Sequence, residues 1–350
     1  MNTEYNISQM IQPVPHKNML LDNGYYTWCG SYIKDKAGMY HVFYSRWKLE
    51  YGFVQGWVSH SEIAHAVSAQ IDGPYHFHDI VLGPRDRTFW DGTTCHNPYI
   101  IEKNGLYYLY YMGTTAPKDI SDTPGEYTPE WYEYRNRQQI GLAVSNNLYG
   151  PWTRLDHPIV SPDKTLTPDG NTQWDSMLVS NPAVTKMPDG KILMIYKGVK
   201  DTTHGDTSSP NGIVKMGIAT ANTPEGPFEK QSGLIMEGNG ILAVEDPFLW
   251  YSAKNATYYS IVRDATASFT GIEGALVLFE SSTGVNNWKL AKHPFVLGNS
   301  VTWEDGNINN SRIERPWLLF DQKETPIMLF GATRMNNDER FTTNLFIPLK

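Results

Sequence analysis

The chain has 350 residues, a formal net charge of −8 and 19% charged residues, a balance that excludes nucleic acid and anionic membrane as its main partners. Two cysteines, Cys29 and Cys95, are too few for a disulfide framework and read as small buried residues. No apolar run approaches the roughly 20 residues that span a bilayer, and Met1 to Lys17 lacks a basic stretch followed by an apolar core. The expected location is therefore cytoplasmic, or periplasmic or secreted for a mature form whose export signal has been removed. Aromatic residues make up 13% of the chain, with 11 Trp and 21 Tyr. Strand propensity and core packing account for such a bias, and sugar-stacking platforms in a wet cleft are the alternative.

Met1 to Leu21 carries Pro13 and Pro15 with little periodicity and reads as an arm or edge segment. After it, one unit recurs five times. The first unit runs Trp28 to Ile33, Met39 to Ser45 and Glu62 to Ser68, then turns at Gly73-Pro74-Tyr75 into an edge strand, where a missing proline N–H does no harm. In the second, Trp90-Asp91 leads into His96 to Ile101, Lys103-Asn104-Gly105 turns, Leu106 to Met112 and Gln139 to Ser145 follow, and Gly150-Pro151-Trp152 makes the corner. Trp174-Asp175 opens the third, with Asn181 to Thr185, Lys191 to Lys197, Ile213 to Thr220 and the corner Gly226-Pro227-Phe228. The fourth holds Asp246 to Tyr251, Thr257 to Asp264 and Gly274 to Ser281, with Asn287-Trp288 in place of the corner. The fifth holds Arg315 to Phe320, Pro326 to Ala332 and Thr342 to Pro348, which leaves no fourth strand.

Proline stands in the first strand at 98, 182, 247 and 316, in steps of 84, 65 and 69 residues. Units of that length, each a four-stranded meander, predict an all-β, five-bladed β-propeller with enlarged loops. The expectation is a single domain over residues 1–350, with blades starting near 28, 96, 181, 246 and 315. The arm around Ile11 to Met19 is expected to pair with the last blade and close the ring. Helix signals are weak throughout.

Innermost propeller strands line a central channel, so their starts should converge. These starts are Trp28-Cys29-Gly30, His96-Asn97, Ser180-Asn181, Glu245-Asp246 and Glu314-Arg315. The second-strand ends add Arg46, Lys197, Arg263 and Asp264, and the lead-in loops add Asp91, Asp175, Glu304 and Asp305. Ionisable groups so near a channel are costly unless paired or wet. The inward set thus calls for an occupant.

This pattern resembles the five-bladed propeller glycoside hydrolases: family 43 arabinanases and xylosidases, family 32 invertases, family 117 anhydrogalactosidases and family 130 phosphorylases. Val244-Glu245-Asp246-Pro247-Phe248 looks like the Glu-Gly-Pro strand start that carries the family 43 general acid. The resemblance implies that role for Glu245 or, since Asp246 replaces the glycine, for Asp246. It also implies an Asp-Pro general base on blade one, where this chain has Cys29-Gly30, and an Asp-Pro pKa modulator on blade three, where it has Asn181-Pro182. Glycoside hydrolysis needs one protonated and one ionised carboxyl group. The second is therefore expected from the lead-in loops, with Asp91 as the base and Asp175 or His96 in support. The family 117 resemblance implies a histidine acid, which His96 would supply. Against these stand plainer readings: both Trp-Asp pairs as structural turns whose Asp caps backbone N–H groups, and His96 as a hydrogen-bonded core residue.

Trp28 is expected to stack on a sugar, with Arg46, Asn97, Asn181, Lys197, Arg263 and Arg315 binding its polar groups. The cations either pair with Glu245, Asp246, Asp264 and Glu314 or recognise an anion such as a uronate or inorganic phosphate. No metal site and no cofactor are expected. The histidines lack paired ligand spacing, His76 and His78 read as solvent-facing, and the channel calcium of some family 43 members is required by none of these residues. Thr202 to Asn211 reads as a lid or a mobile loop, and the aromatic insertion Lys118 to Asn136 as the substrate-facing wall. The resulting expectation is a glycoside hydrolase that releases a terminal sugar from an oligo- or polysaccharide. The alternatives are a phosphorylase or polysaccharide lyase on the same scaffold and a non-catalytic carbohydrate-binding propeller.

Overall fold

The computed structural model describes residues 4–210, 212–335, 338 and 340–350. Five four-stranded antiparallel sheets form the blades of a β-propeller. Blade one is Tyr25–Lys34, Tyr40–Lys48, Glu62–Ser68 and His76–Leu82. Blade two is Thr94–Lys103, Leu106–Thr114, Gln139–Ser145 and Thr153–Arg154. Blade three is Leu178–Lys186, Ile192–Val199, Val214–Ala221 and Glu229–Lys230. Blade four is Val244–Ser252, Thr257–Asp264, Leu276–Ser281 and Lys289–Leu297. Blade five takes Glu314–Phe320, Pro326–Arg334 and Thr342–Pro348 from the end of the chain and Met19–Leu20 from its beginning. Met19 lies opposite Leu345 and Leu20 opposite Asn344, and Ile11 adds an isolated bridge to Leu349.

Each innermost strand carries the same irregularity. Pairing with the second strand slips between Trp28 and Ser31, His96 and Tyr99, Ser180 and Ala183, Glu245 and Phe248, and Glu314 and Trp317. Within each slip one residue is left-handed: Cys29 (φ 56°), Asn97 (53°), Asn181 (49°), Asp246 (58°) and Arg315 (52°). Such a backbone costs on the order of 1–3 kcal/mol for a residue other than glycine. A bulge re-aims the side chain it carries, and here all five line one pocket.

The Trp-Asp repeats serve the blades rather than the channel. A Cβ on Gly113 or Gly141 would come within 3.0 Å of the Trp90 ring, and one on Gly198 or Gly217 would do the same to Trp174. Each indole therefore lies flat on two strands that only glycine lets it approach. The neighbouring aspartates are fully buried. Asp91 accepts from the Tyr111 hydroxyl at 2.7 Å and is paired with Arg85 at 2.6 Å and Arg154 at 3.3 Å. Asp175 accepts from Tyr196 at 2.9 Å and pairs with Lys230 at 2.6 Å. Neither borders the central pocket, which corrects the expectation that the lead-in loops carry Asp91 and Asp175 into the channel. Blade one repeats the device without the indole, since Tyr44 donates to Asp22 at 2.7 Å and Arg46 pairs with the same carboxylate at 2.7 Å. Arg46 also holds Glu62 at 2.9 Å and sits between the faces of Tyr25 and Phe77. It too is absent from the pocket lining, a second correction.

Two short α-helices among the described residues depart from the all-strand expectation: Phe53–Ser59 and Pro129–Arg135. Both interrupt the link between second and third strands, in blades one and two. Phe53, Val54, Trp57 and Val58 recur at helical spacing and give the first its apolar face. Pro129 opens the second, with the Thr128 hydroxyl accepting from the Trp131 N–H at 3.4 Å, as capping requires. The Trp131 indole N–H donates to the Val54 carbonyl at 2.9 Å, so the helices brace each other.

Candidate active site

A pocket of about 390 Å³ opens at the channel mouth, at the small end of ligand sites. Its two sides differ. On blades one and two, Trp28, Trp47, Phe53, Trp57, Tyr127 and Trp131 form an aromatic bank. Trp28 meets Phe53 edge to face at 5.1 Å, and Trp57 meets Trp131 at 5.7 Å. On the opposite side stand the carboxylates Glu245, Asp246 and Glu314 with Lys197, Arg263, Arg312 and Arg315; Arg135 joins them from the insertion helix, and the Arg334 guanidinium lies over the Phe53 ring at 4.3 Å. Among the described residues, six cationic side chains and three carboxylates line the pocket.

The five bulge residues are linked side chain to side chain. The Cys29 thiol donates to Asn97 Oδ1 at 2.8 Å, Asn97 Nδ2 to Asn181 Oδ1 at 2.5 Å, and Asn181 Nδ2 to Asp246 Oδ1 at 2.8 Å. Arg315 reaches the same Asp246 oxygen at 3.5 Å from the other side. The chain of donors ends on Asp246.

Two adjacent carboxyl groups there behave oppositely. Burial pushes Glu245 up, but the charges of Lys197, at 2.7 Å, and of Arg263 outweigh it and hold the group far below the usual carboxylate range. Burial and the negative charge of Glu245 push Asp246 up to about 6, against the pull of Arg315. Environments that separate two neighbouring carboxyls in this way divide acid from base. Glu314 is held by Arg312 at 2.6 Å. The Arg263 guanidinium lies among all three carboxylates, with Nε 4.0 Å from Asp246 and 3.9 Å from Glu314. That buried Nε–H has no hydrogen-bond acceptor of its own among the described residues.

His96 lines the pocket with its Nδ1 2.7 Å from the Ser61 hydroxyl and its Nε2 3.8 Å from the Cys29 sulfur. Burial, reinforced by the charges of Arg315 and Lys197, holds its pKa well below the usual histidine range. It is therefore neutral at neutral pH and unsuited to donating a proton as the acid. Burial also drives the Cys29 thiol well above its ordinary value, which disqualifies it as a thiolate nucleophile.

Comparisons with solved structures bear on this architecture. A glycoside hydrolase superposes with a TM-score of 0.65 at 15% identity over 96% of this chain and 92% of its own. The family 117 glycoside hydrolase Zg3597 of Zobellia galactanivorans gives 0.63 at 15% over 97% and 90%. A thermostable family-43 glycoside hydrolase gives 0.60 at 12% over 97% and 96%. The fold is that of the five-bladed glycoside hydrolases. No protein-family model matches the chain, and no curated protein matches its sequence.

Of the residues singled out from sequence, Trp28, His96, Asn97, Asn181, Lys197, Glu245, Asp246, Arg263 and Arg315 line the pocket; Asp91, Asp175 and Arg46 do not. The insertion supplies Tyr127, Trp131 and Arg135 to the lining. The polar loop from Thr202 supplies none among the described residues and docks on the insertion, with Asn136 Nδ2 donating to the carbonyls of Thr207 and Ser209 at 3.0 and 2.8 Å. Its last residue, Asn211, lies outside the described residues. Sequence reasoning missed Phe53, Trp57, Arg312 and Arg334. Arg312 stands just before a first strand and Arg334 ends a second strand, positions already marked as inward in other blades.

Proposed function

We propose that the protein is a glycoside hydrolase that removes a terminal sugar bearing an anionic group, such as a uronate, from an oligo- or polysaccharide. The observation that carries this reading is the gathering of cationic side chains, Lys197, Arg263, Arg312 and Arg315 among them, in one pocket of a chain whose formal charge is −8. A neutral sugar gives no return on gathering like charges in a half-buried site, whereas guanidinium forks match carboxylate and sulfate oxygens. Asp246, protonated below about pH 6, gives its proton to the leaving glycosidic oxygen. Glu245, kept ionised by Lys197 and Arg263, is the second carboxylate and stabilises positive charge at the anomeric carbon while a water molecule bonds that carbon and its surplus proton returns, through solvent, to Asp246. Of the two carboxyls that the Glu-Gly-Pro resemblance left open, this takes Asp246 as the acid, because a doubly clamped Glu245 holds no proton to give. Arg315 and Arg334 bind the anionic substituent, and Trp28, Trp57 and Trp131 pack on the sugar faces. The two helices bank one side of the pocket and favour a chain end over a mid-chain segment.

A panel of matched uronate-terminated and neutral oligosaccharides tests the reading by product release. Turnover confined to the anionic members is expected. Equal turnover of neutral members would remove the anion requirement, and affinity without turnover across the panel would leave a binding propeller. One observation favours elimination as the second reading: His96 is a neutral imidazole in the pocket, while the blade-one base position is occupied by Cys29. An unsaturated uronate product would select it, and a saturated sugar would dismiss it.

A further inference from the structure

Blade one holds, away from the pocket, a cluster of histidines and carboxylates for which hydrolysis has no use. Strand pairing sets His65 opposite Asp79, beside a register shift. His65 Nδ1 lies 3.2 Å and His78 Nδ1 3.1 Å from the same Asp79 oxygen, and the three atoms fall within 4.8 Å of one another. On its far side His65 Nε2 is 2.9 Å from His41 Nδ1, and His41 Nε2 faces Asp35 Oδ2 at 3.4 Å. The side chains of His41 and His65 are fully buried, while those of His78 and Asp79 are 41% and 39% exposed. Tyr149 of blade two meets all three histidine rings edge-on at 5.0–5.7 Å.

Counting hydrogens along this row leaves a shortfall. The contacts Asp35 to His41, His41 to His65 and His65 to Asp79 each need one proton, and two neutral imidazoles carry two. A cation at the Asp79 end removes the conflict. His65 Nδ1 then needs no proton, its Nε2–H donates to His41 Nδ1, and the His41 Nε2–H donates to Asp35. We propose that His65, His78 and Asp79 bind a divalent transition-metal ion of the zinc type, with His41 and Asp35 as the relay that orients His65 and solvent at the fourth position. Zinc bonds imidazole nitrogen and carboxylate oxygen at about 2.0–2.1 Å, which makes the edge of its tetrahedron about 3.4 Å. The two nitrogen-to-oxygen separations of 3.1 and 3.2 Å are close to that edge. A second hydrogen-bonded ring nitrogen is the usual outer support of a metal-bound histidine. The ion would clasp the third and fourth strands of blade one at its seam with blade two.

The test uses the untagged full-length protein, stripped with a chelator and titrated calorimetrically with zinc chloride. One zinc per chain is expected, with affinity at least tenfold lower in His78→Ala and in Asp79→Asn. His41→Phe keeps all three ligands and is expected to lower affinity by about tenfold or more through loss of the relay. Zinc should raise the thermal midpoint of the wild type and leave that of His78→Ala unchanged. Since His78 is half-exposed, that variant folds, and the comparison holds even if the His41 variant does not. The proposal is overturned if the wild type takes up no stoichiometric zinc, the outcome expected were the missing proton supplied by a charged ring. It is equally overturned if His78→Ala binds zinc as tightly as the wild type.

Discussion

The aromatic bank and the charged bank of the pocket are built by different means. Blades one and two supply their wall mainly from inserted helices, whose side chains pack on each other and would keep their shape without a ligand. Blades three to five supply theirs from strand starts and strand ends, with the sheet itself fixing each position. The first bank tolerates change in proportion to the area lost. In the second, Arg263 reaches three carboxylates and Asp246 takes hydrogen bonds from two blades, so one substitution disturbs several charges. On the proposed reading, shape belongs to one bank and reactivity to the other.

Breaking the charged bank at its centre gives the largest expected effect. Asp246→Asn keeps the size, tolerates the left-handed backbone and retains an acceptor for Asn181, yet carries no acidic proton. A fall in kcat/KM on the order of 10²–10⁴-fold is expected, with the far-ultraviolet spectrum unchanged. In the wild type the same group sets the pH profile. It is protonated below about 6 and ionised above, so the rate should fall about tenfold per pH unit on the alkaline side. A rate that instead rises through that range would remove Asp246 as the acid.

Asp91→Asn separates the channel from the staples beneath it. Deleting that buried charge leaves Arg85 and Arg154 without their shared partner, a loss of about 3–5 kcal/mol that chemical denaturation would read. The kcat/KM of the folded fraction should not move. Next in size, Arg334→Gln should reduce kcat/KM on anionic substrates roughly 10- to 100-fold, in line with about 1.5–3 kcal/mol for a charged hydrogen bond, and leave binding of neutral analogues as it was. The smallest effect belongs to the aromatic bank. Trp131→Ala should raise KM about fivefold, corresponding to roughly 1 kcal/mol of lost aromatic packing, with kcat retained. A collapse of kcat there would erase the division of labour between the banks.

The blades were legible because their signals are local: alternation in the strands, Gly-Pro corners, and a proline one residue past four of the five inward positions. The inward set at the strand starts followed from the same repetition. Asp91 and Asp175 were expected at the channel, and lie away from it, because a Trp-Asp pair repeated at one spacing suggests shared chemistry. The clue to their real duty lay in Gly113 with Gly141 and in Gly198 with Gly217, matched pairs that only strand pairing brings under one indole. Phe53 and Trp57 escaped because the helical spacing of a seven-residue helix spans only about two turns and is easily passed over inside a loop between two strands. No spacing rule could have joined His41, His65 and Asp79, which meet across three strands of one sheet.

The five left-handed positions give the molecule interchangeable sockets. Cys29, Asn97, Asn181, Asp246 and Arg315 share one backbone shape and differ only in what they hold toward the axis. Exchanging a side chain at such a station re-equips the reaction chamber without moving a strand. On the proposed reading, which blade supplies the proton is then set by which of the five stations carries a carboxyl group, and those stations can be exchanged one at a time.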